Sequence, residues 1–286
     1  MAVVEVSHLK YRYPTAETLA LDDISFRIEP GERIGIIGAN EAGKSTLCQA
    51  LVGIVPLFFQ GAYGGSVMID GVKISQAPIA DTVRKAGLVF QNPFSQVTGA
   101  KQTVWEEVAF GLENYGVPRP EMIRRVDDAL ERLGIEHLRQ RNPFSLSGGQ
   151  TQRMAIAGVL AMQAEIIVMD EPTSQLDPQG SQEVFRAVEA LAKEGVSVVL
   201  AEHKMEKMAE YCDKIVLLEK GKLVAFDTPR RIFSRDDLAE RGVSAPAVTQ
   251  LCRELNIRDK EGCYPTKFTE IAQLAGDIIK GVPHEN

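Results

Sequence analysis

Short apolar runs separated by amphipathic stretches pattern this 286-residue chain. Five stand out: RIGIIG at 33–38, SVMID at 66–70, GLVFQ at 87–91, EIIVMDE at 165–171 and SVVLAEH at 197–203. Runs this short and this apolar predict buried strands of a mostly parallel sheet, with helices in the intervals. Ahead of them, VVEVSHL and DISFRIEPGER predict edge strands of a small antiparallel sheet, with Pro30 and Gly31 turning the chain into the first buried strand. From about 101 to 146 the apolar residues fall instead at helical spacing, broken at Gly116 and from Pro118 to Pro120. That stretch predicts a helical insertion in an α/β core. LLEKGKLVAFDTP at 217–229 predicts a hairpin with a Lys-Gly turn, and the tail from about 235 predicts a small appendage of short helices.

Candidate chemistry begins where the first run ends. Gly38-Ala39-Asn40-Glu41-Ala42-Gly43-Lys44-Ser45 fits GxxxxGK[ST] between a predicted strand and a predicted helix, the context in which the pattern means a phosphate-binding loop. Gly38 and Gly43 let backbone N–H groups wrap phosphates, and the helix N-terminus adds its dipole. Lys44 reaches the outer phosphates, Ser45 ligates magnesium, and Asn40 and Thr46 complete the loop. Glu41 places a carboxylate close to those phosphates; it must face solvent, or nucleotide binding weakens. The run IIVMDE delivers Asp170 from a buried strand as a second magnesium ligand. Glu171 follows as the candidate for polarising the attacking water, with a helix-starting acid before Pro172 as the competing reading. A second anion device lies at Ser147-Gly148-Gly149-Gln150, where Ser147 caps a predicted helix whose free N–H groups face outward.

LSGGQTQR followed by IIVMDEPTSQLDP resembles the signature motif, Walker B strand and D-loop of an ATP-binding cassette (ABC) ATPase, a likeness that runs from about residue 2 to 233. It implies the P-loop ABC fold: a mostly parallel core, an antiparallel β-subdomain and a helical subdomain. The division it implies is an ATPase domain over 1–233, helical over about 101–160, and a helical appendage over 234–286. In that family two cassettes face head to tail and the signature of one closes on the ATP of the other, so the second device serves a partner's nucleotide.

Four further roles come from the resemblance. Tyr13 is similar to the aromatic that stacks on adenine, with Tyr11 as its competitor. Gln91 is similar to the Q-loop glutamine that touches magnesium and the attacking water. Asp177 is similar to the D-loop aspartate at the dimer seam, and it also suits a helix N-cap before Pro178. His203 is similar to the switch histidine that contacts the γ-phosphate.

Three stretches, GIVPLFFQGAYGGSVMIDG, QNPFSQVTGAKQTVWEEVAFGLENYGVP and DEPTSQLDPQG, most resemble the ATPases of energy-coupling factor (ECF) importers and the related cobalt and nickel systems. The implied function is ATP hydrolysis coupled to uptake of a vitamin, metal ion or other small solute, with ATP and Mg2+ bound. The implied partners are a second ATPase (self or paralogue), a transmembrane scaffold (T) component and a small substrate-binding (S) component, at the cytoplasmic face of the membrane. Phe94, Val97, Val104, Trp105 and Phe110 are candidates for the groove that receives the scaffold, and a buried amphipathic stripe is the alternative. Phe94-Ser95 stand where many of the family carry an acid. The ATPase of another ABC importer or exporter is the nearer rival. A soluble ABC ATPase acting on nucleic acid or ribosomes is the more distant one.

Composition adjusts this reading at three points. A net charge of -7 gives no basic face for coating nucleic acid, so no such partner is expected. No apolar run approaches the roughly 20 residues of a bilayer span, and the expected chain is soluble and intracellular. Cys48, Cys212, Cys252 and Cys263 form no CxxC pair and are expected as reduced, mostly packed thiols.

Overall fold

The computed structural model describes residues 3–272. The last part of the expected appendage, 273–286, lies outside the described residues. In chain order the elements begin with β1 (Val4–Arg12), β2 (Leu21–Ile28), β3 (Arg33–Ile37), α1 (Lys44–Leu51), a single turn α2 (Ile54–Leu57), β4 (Ala62–Ile69) and β5 (Val72–Lys73). Next come α3 (Ile79–Lys85), β6 (Ala86–Val89), α4 (Val104–Asn114), α5 (Arg119–Arg132), α6 (Gly148–Ala161), β7 (Ile166–Asp170) and α7 (Pro178–Lys193). The series ends with β8 (Ser197–Ala201), α8 (Met205–Tyr211), β9 (Lys214–Glu219), β10 (Lys222–Asp227), α9 (Pro229–Phe233) and α10 (Ala247–Glu254).

Six strands form the central sheet in the order β10-β9-β3-β8-β7-β6, all parallel except β10, which returns antiparallel on β9 through the Lys220-Gly221 turn. Alternate residues serve opposite faces. Ile167 and Met169 of β7, Val198 and Leu200 of β8, and Ile215 and Leu217 of β9 join a core built with α4 to α9. Ile166 and Val168, Val199 and Ala201, and Val216 and Leu218 join the other core, which is closed by α1 and the second sheet. Burial on both faces explains why these strands read as unbroken apolar runs.

The second sheet, β2-β1-β4-β5, is antiparallel throughout and corrects two expectations. SVMID belongs here as the end of β4, where Val4 pairs with Ile69, and not to the parallel sheet. Its burial alternates, Val67 and Ile69 inward and Met68 partly exposed, so it lies on one core only. The place it was expected to take is filled by β9. The other correction is to β1, which runs between β2 and β4 and is not an edge strand.

The helical stretch has a stated start and stop. Thr103 and Glu106 form a reciprocal capping box that opens α4, a device worth about 1 kcal/mol. Gly116, at φ +64, carries the chain out of α4. Helix α5 already runs through Pro120, contrary to the expected break, because proline is tolerated in a first turn whose N–H groups have no helical acceptor. Val108, Leu112, Val126, Leu130, Met154 and Leu160 pack α4, α5 and α6 together and onto the sheet.

Beyond α9 the chain turns back towards the P-loop. Leu238 and Val243 enter the core, and Gly242 (φ +71) lies so close to Ala39 that a Cβ there would sit 3.1 Å from the alanine's. Helix α10 packs apart, with Val248, Cys252 and Tyr264 in a small cluster of their own. Cys48, Cys212 and Cys252 are buried and Cys263 is partly so, and burial pushes the Cys212 thiol up to about 12.

Candidate active site

The carboxyl ends of β3, β6, β7 and β8 converge, as ligand sites in parallel α/β sheets do. β3 feeds Gly38 to Gly43, a loop with no room for side chains at its two ends. A Cβ at Gly38 would lie 2.5 Å from the Leu218 carbonyl oxygen, and one at Gly43 (φ +101) 2.7 Å from that of Ala20. Asn40 and Glu41 are exposed on the loop's outer rim, facing a cavity of about 870 Å3 lined also by Lys220, Glu240 and Arg241. Glu41 therefore faces solvent, and it does so at φ +64, a left-handed conformation usually left to glycine.

Lys44, the first residue of α1, is buried. Its ammonium donates to the Gly38 and Ala39 carbonyls at 3.0 and 2.9 Å. Burial lowers its pKa against the pull of Glu171 and Asp170. Asp170 closes β7 beside the Ser45 hydroxyl. Burial raises its pKa, Ser45 opposes the rise and Glu171 adds to it. The Asp170 Oδ1 atom is buried with no hydrogen-bond partner. A carboxylate with one buried, unpartnered oxygen and the neighbouring Ser45 hydroxyl supply oxygen ligands of the kind magnesium takes, so the residues present fit Mg2+.

Glu171 follows in a left-handed conformation, φ +48, with its N–H donating to the Ala201 carbonyl at 2.9 Å. Strain of this kind persists where surrounding bonds enforce it. Its carboxylate receives the Gln91 amide at 2.7 Å on one oxygen and contacts His203 Nε2 at 3.0 Å on the other. Gln91, Glu171 and His203 come from the ends of three different strands, and the structure brings them together.

The adenine candidates separate clearly. Tyr11 is fully buried and its hydroxyl donates to the Phe59 carbonyl at 3.0 Å. Tyr13 is only partly buried, and its hydroxyl stands 3.2 Å from both Thr46 Oγ1 and Gln49 Oε1 on α1.

Ser147, Gly148, Gly149 and Gln150 lie elsewhere, at the start of α6. Ser147 is the N-cap, and its N–H donates to the Gln150 side chain at 3.1 Å in a reciprocal capping box. The two glycines abut the D-loop: a Cβ at Gly148 would fall 3.0 Å from Gln175 Oε1, and one at Gly149 3.4 Å from Leu176 Cδ2. Asp177 is exposed and caps α7, accepting from the Gly180 N–H at 2.6 Å.

Most groove candidates are core. Val104 is fully buried, and Val97 and Trp105 pack against the core, with the indole N–H donating to Asp127 at 2.9 Å. Phe110 is partly buried under Lys101. Phe94 alone is open, at 52% exposure. Ile79 at 66% and Val83 at 38%, on α3, are exposed apolar residues the sequence reading missed. Also missed were Thr173 and Glu202, both buried behind Glu171, and the exposed Lys204 that bonds to Thr173; a charged residue ending an otherwise apolar strand was their one visible signal. Among the described residues no helix is long and apolar enough to cross a membrane.

This geometry defines a P-loop nucleotide-hydrolysing fold, with the capped helix start at Ser147 set apart from the P-loop. Comparison with known proteins gives the family. The model for "ABC transporter" matches residues 21–174. The energy-coupling factor transporter ATP-binding protein EcfA1 of Lacticaseibacillus paracasei is 44% identical over 263 residues, covering 85% of this chain and 92% of that protein. Among solved structures, cbiO1 of Clostridium perfringens, part of the ABC transporter complex cbiONQ, superposes with a TM-score of 0.72 at 32% identity, over 96% of this chain and 98% of that one. A dimeric ATP-binding cassette, MJ0796, in a post-hydrolysis state with ADP and Pi, gives 0.69 at 26% identity over 79% and 99%. The chain belongs to the ABC transporter family of ATPases and is similar, within it, to the energy-coupling factor ATP-binding proteins.

Proposed function

We propose that this ATPase is one half of a head-to-tail nucleotide sandwich that drives an energy-coupling factor importer from the cytoplasmic face of the membrane. The observation that carries the hydrolytic part is the Glu171 carboxylate, held between Gln91 and His203 at 2.7 and 3.0 Å and adjacent to Asp170. Tyr13 stacks on adenine. The loop from Gly38 to Thr46 wraps the phosphates, and Lys44 turns from the loop carbonyls to the outer phosphates. Ser45, Asp170 and Gln91 would hold Mg2+, which when bound neutralises charge building on the phosphates.

Glu171 accepts the proton of the attacking water and His203 steadies the γ-phosphate. The new bond forms from water oxygen to γ-phosphorus as the bond to ADP breaks, releasing ADP and phosphate. Ser147, Gly148, Gly149 and Gln150 close on the nucleotide of the second ATPase, and Asp177 meets that subunit at the seam. Phe94 and, on α3, Ile79 and Val83 are the exposed apolar residues offered to a transmembrane scaffold component, beside which a small membrane protein would choose the solute.

Glu171→Gln is expected to accumulate an ATP-bound dimer with turnover reduced at least about a hundredfold, whereas Lys44→Ala loses ATP affinity. Size-exclusion chromatography with ATP and a phosphate-release assay read both. Hydrolysis at the wild-type rate in Glu171→Gln would remove the assignment of the base. For the transporter, mass spectrometry of chains co-purified from mildly solubilised native membranes should find the scaffold and the small membrane protein. Recovery of soluble or nucleic-acid-bound partners alone would overturn the importer.

A further inference from the structure

Glu202 is the residue before His203, and at 3% exposure its carboxylate is buried. A buried carboxylate is costly unless its oxygens are satisfied, and here the partners lie on two elements. Oε1 accepts from the Thr173 N–H at 3.1 Å and from the Thr173 hydroxyl at 2.5 Å. Oε2 accepts from the His203 N–H at 3.2 Å. Thr173 belongs to the turn that Glu171 opens, closed by the Ser174 N–H on the Glu171 carbonyl at 3.2 Å. One side chain thus joins the turn carrying Glu171 to the strand end carrying His203.

Lys204 extends the connection. Its ammonium donates to the Thr173 carbonyl at 3.1 Å, to the Thr173 hydroxyl at 2.9 Å and to Ser181 Oγ at 3.3 Å. Ser181 lies in the first turn of α7, the helix that Asp177 caps. The Thr173 hydroxyl is the hub: it donates to Glu202 and accepts from Lys204.

We propose that Glu202, acting through the Thr173 hydroxyl, is a positioning residue for hydrolysis that keeps Glu171 and His203 in register, and that Lys204 ties this register to the first turn of α7. This rests on the roles given above to Glu171 and His203. Neither Glu202 nor Thr173 needs to touch the nucleotide; each acts by limiting where the Glu171 carboxylate can sit. A displacement of that carboxylate relative to the phosphates slows the chemical step and leaves ATP binding intact, because the P-loop is untouched.

The discriminating pair is Thr173→Val, which keeps the shape and removes the hub hydroxyl, and Thr173→Ser, which keeps the hydroxyl. In steady-state ATPase assays of the full chain, Thr173→Val is expected to lower kcat roughly ten- to hundredfold with KM for ATP within about twofold, and to accumulate the ATP-bound dimer. Thr173→Ser should restore most of the rate. Glu202→Gln should fall alongside Thr173→Val, and the double variant should be no slower than the slower single, as for two members of one connection.

Thermal midpoints of the Ser and Val variants at Thr173 show whether they are equally folded, which keeps the comparison valid even if changes at Glu202 disturb folding. If Thr173→Val and Glu202→Gln turn over at the wild-type rate while Glu171→Gln is inactive, this proposal is overturned and the active-site assignment stands. A raised KM with unchanged kcat overturns it equally. If Glu171→Gln itself hydrolyses ATP normally, the assignment beneath it fails first.

Discussion

Glu41 is held at φ +64 in the P-loop with its side chain in solvent, so replacing it by glycine should improve the protein twice over. The left-handed conformation costs an ordinary L-residue about 1–2 kcal/mol, and glycine gives back about 0.5–1 kcal/mol through the greater entropy of its unfolded chain. The net gain is about 0.5–1 kcal/mol, or a rise in Tm of about 1–3 °C for a chain of this size. The second effect is electrostatic. Removing an exposed carboxylate from the rim of a phosphate site relieves about 0.2–1 kcal/mol of repulsion, which is a factor of about 1.4–5 in Kd for ATP.

Glu41→Gln separates the two, because glutamine loses the charge and keeps the Cβ. It should tighten ATP as much as Glu41→Gly does while leaving Tm unmoved. Calorimetric titration of ATP into magnesium-free protein, in low and high salt, gives the affinities, and scanning calorimetry gives Tm. Screening requires the affinity gain to shrink at high salt while the Tm gain persists. A Glu41→Gly protein that melts below wild type would refute the strain argument, and unchanged affinity in both variants would refute the repulsion.

Three other outcomes follow from the structure. Gly43→Ala places a Cβ 2.7 Å from the Ala20 carbonyl oxygen at φ +101, so urea unfolding should show a loss of about 2–4 kcal/mol together with lost ATP binding. Asp170→Asn should abolish magnesium-dependent hydrolysis yet raise the Tm of magnesium-free protein at neutral pH, since burial raises this carboxyl's pKa. The penalty on its charge is absent below the ordinary value of 3.8 and complete above the raised folded value, so the gain should vanish in acid. Asp237, on the segment that returns to the P-loop, has the opposite sign: the Arg235 guanidinium, helped by Arg241, holds it at about 2. The stability it supplies is present above 3.8 and lost as pH falls towards about 2, so Asp237→Asn should melt below wild type at pH 7 and approach it in acid.

The sheet was legible where burial is two-sided and misread where it is one-sided. β7 and β8 are buried at all five positions, which no amphipathic helix or surface strand imitates. SVMID looked the same because Met68 is apolar, though it is partly exposed, and only the pairing of Val4 with Ile69 shows which sheet the segment joins. The groove candidates failed for a related reason. Val104 belongs to an apolar stripe that continues through Val108 and Leu112, but a stripe facing a partner and a stripe facing the core have the same period. Packing among α4, α5 and α6 decides, and it leaves Phe94 outside.

In the candidate site, what could be read was what backbone geometry demands. Gly38 and Gly43 sit where a Cβ would strike a carbonyl oxygen, so their spacing is a steric necessity visible in the sequence. Glu171 was found because it follows a buried strand, an address that sequence can state, whereas His203 came through the family resemblance. The Thr173 network has no such address. Thr173 lies in a turn, Glu202 and Lys204 flank His203, and Ser181 is on α7; the four meet only through folding. Chemistry that depends on the backbone of one short segment is written locally, whereas chemistry that depends on side chains from several elements closing on one hydroxyl appears only in three dimensions. That difference is why the groups proposed to touch ATP were named from the sequence and the groups proposed to aim them came from the structure.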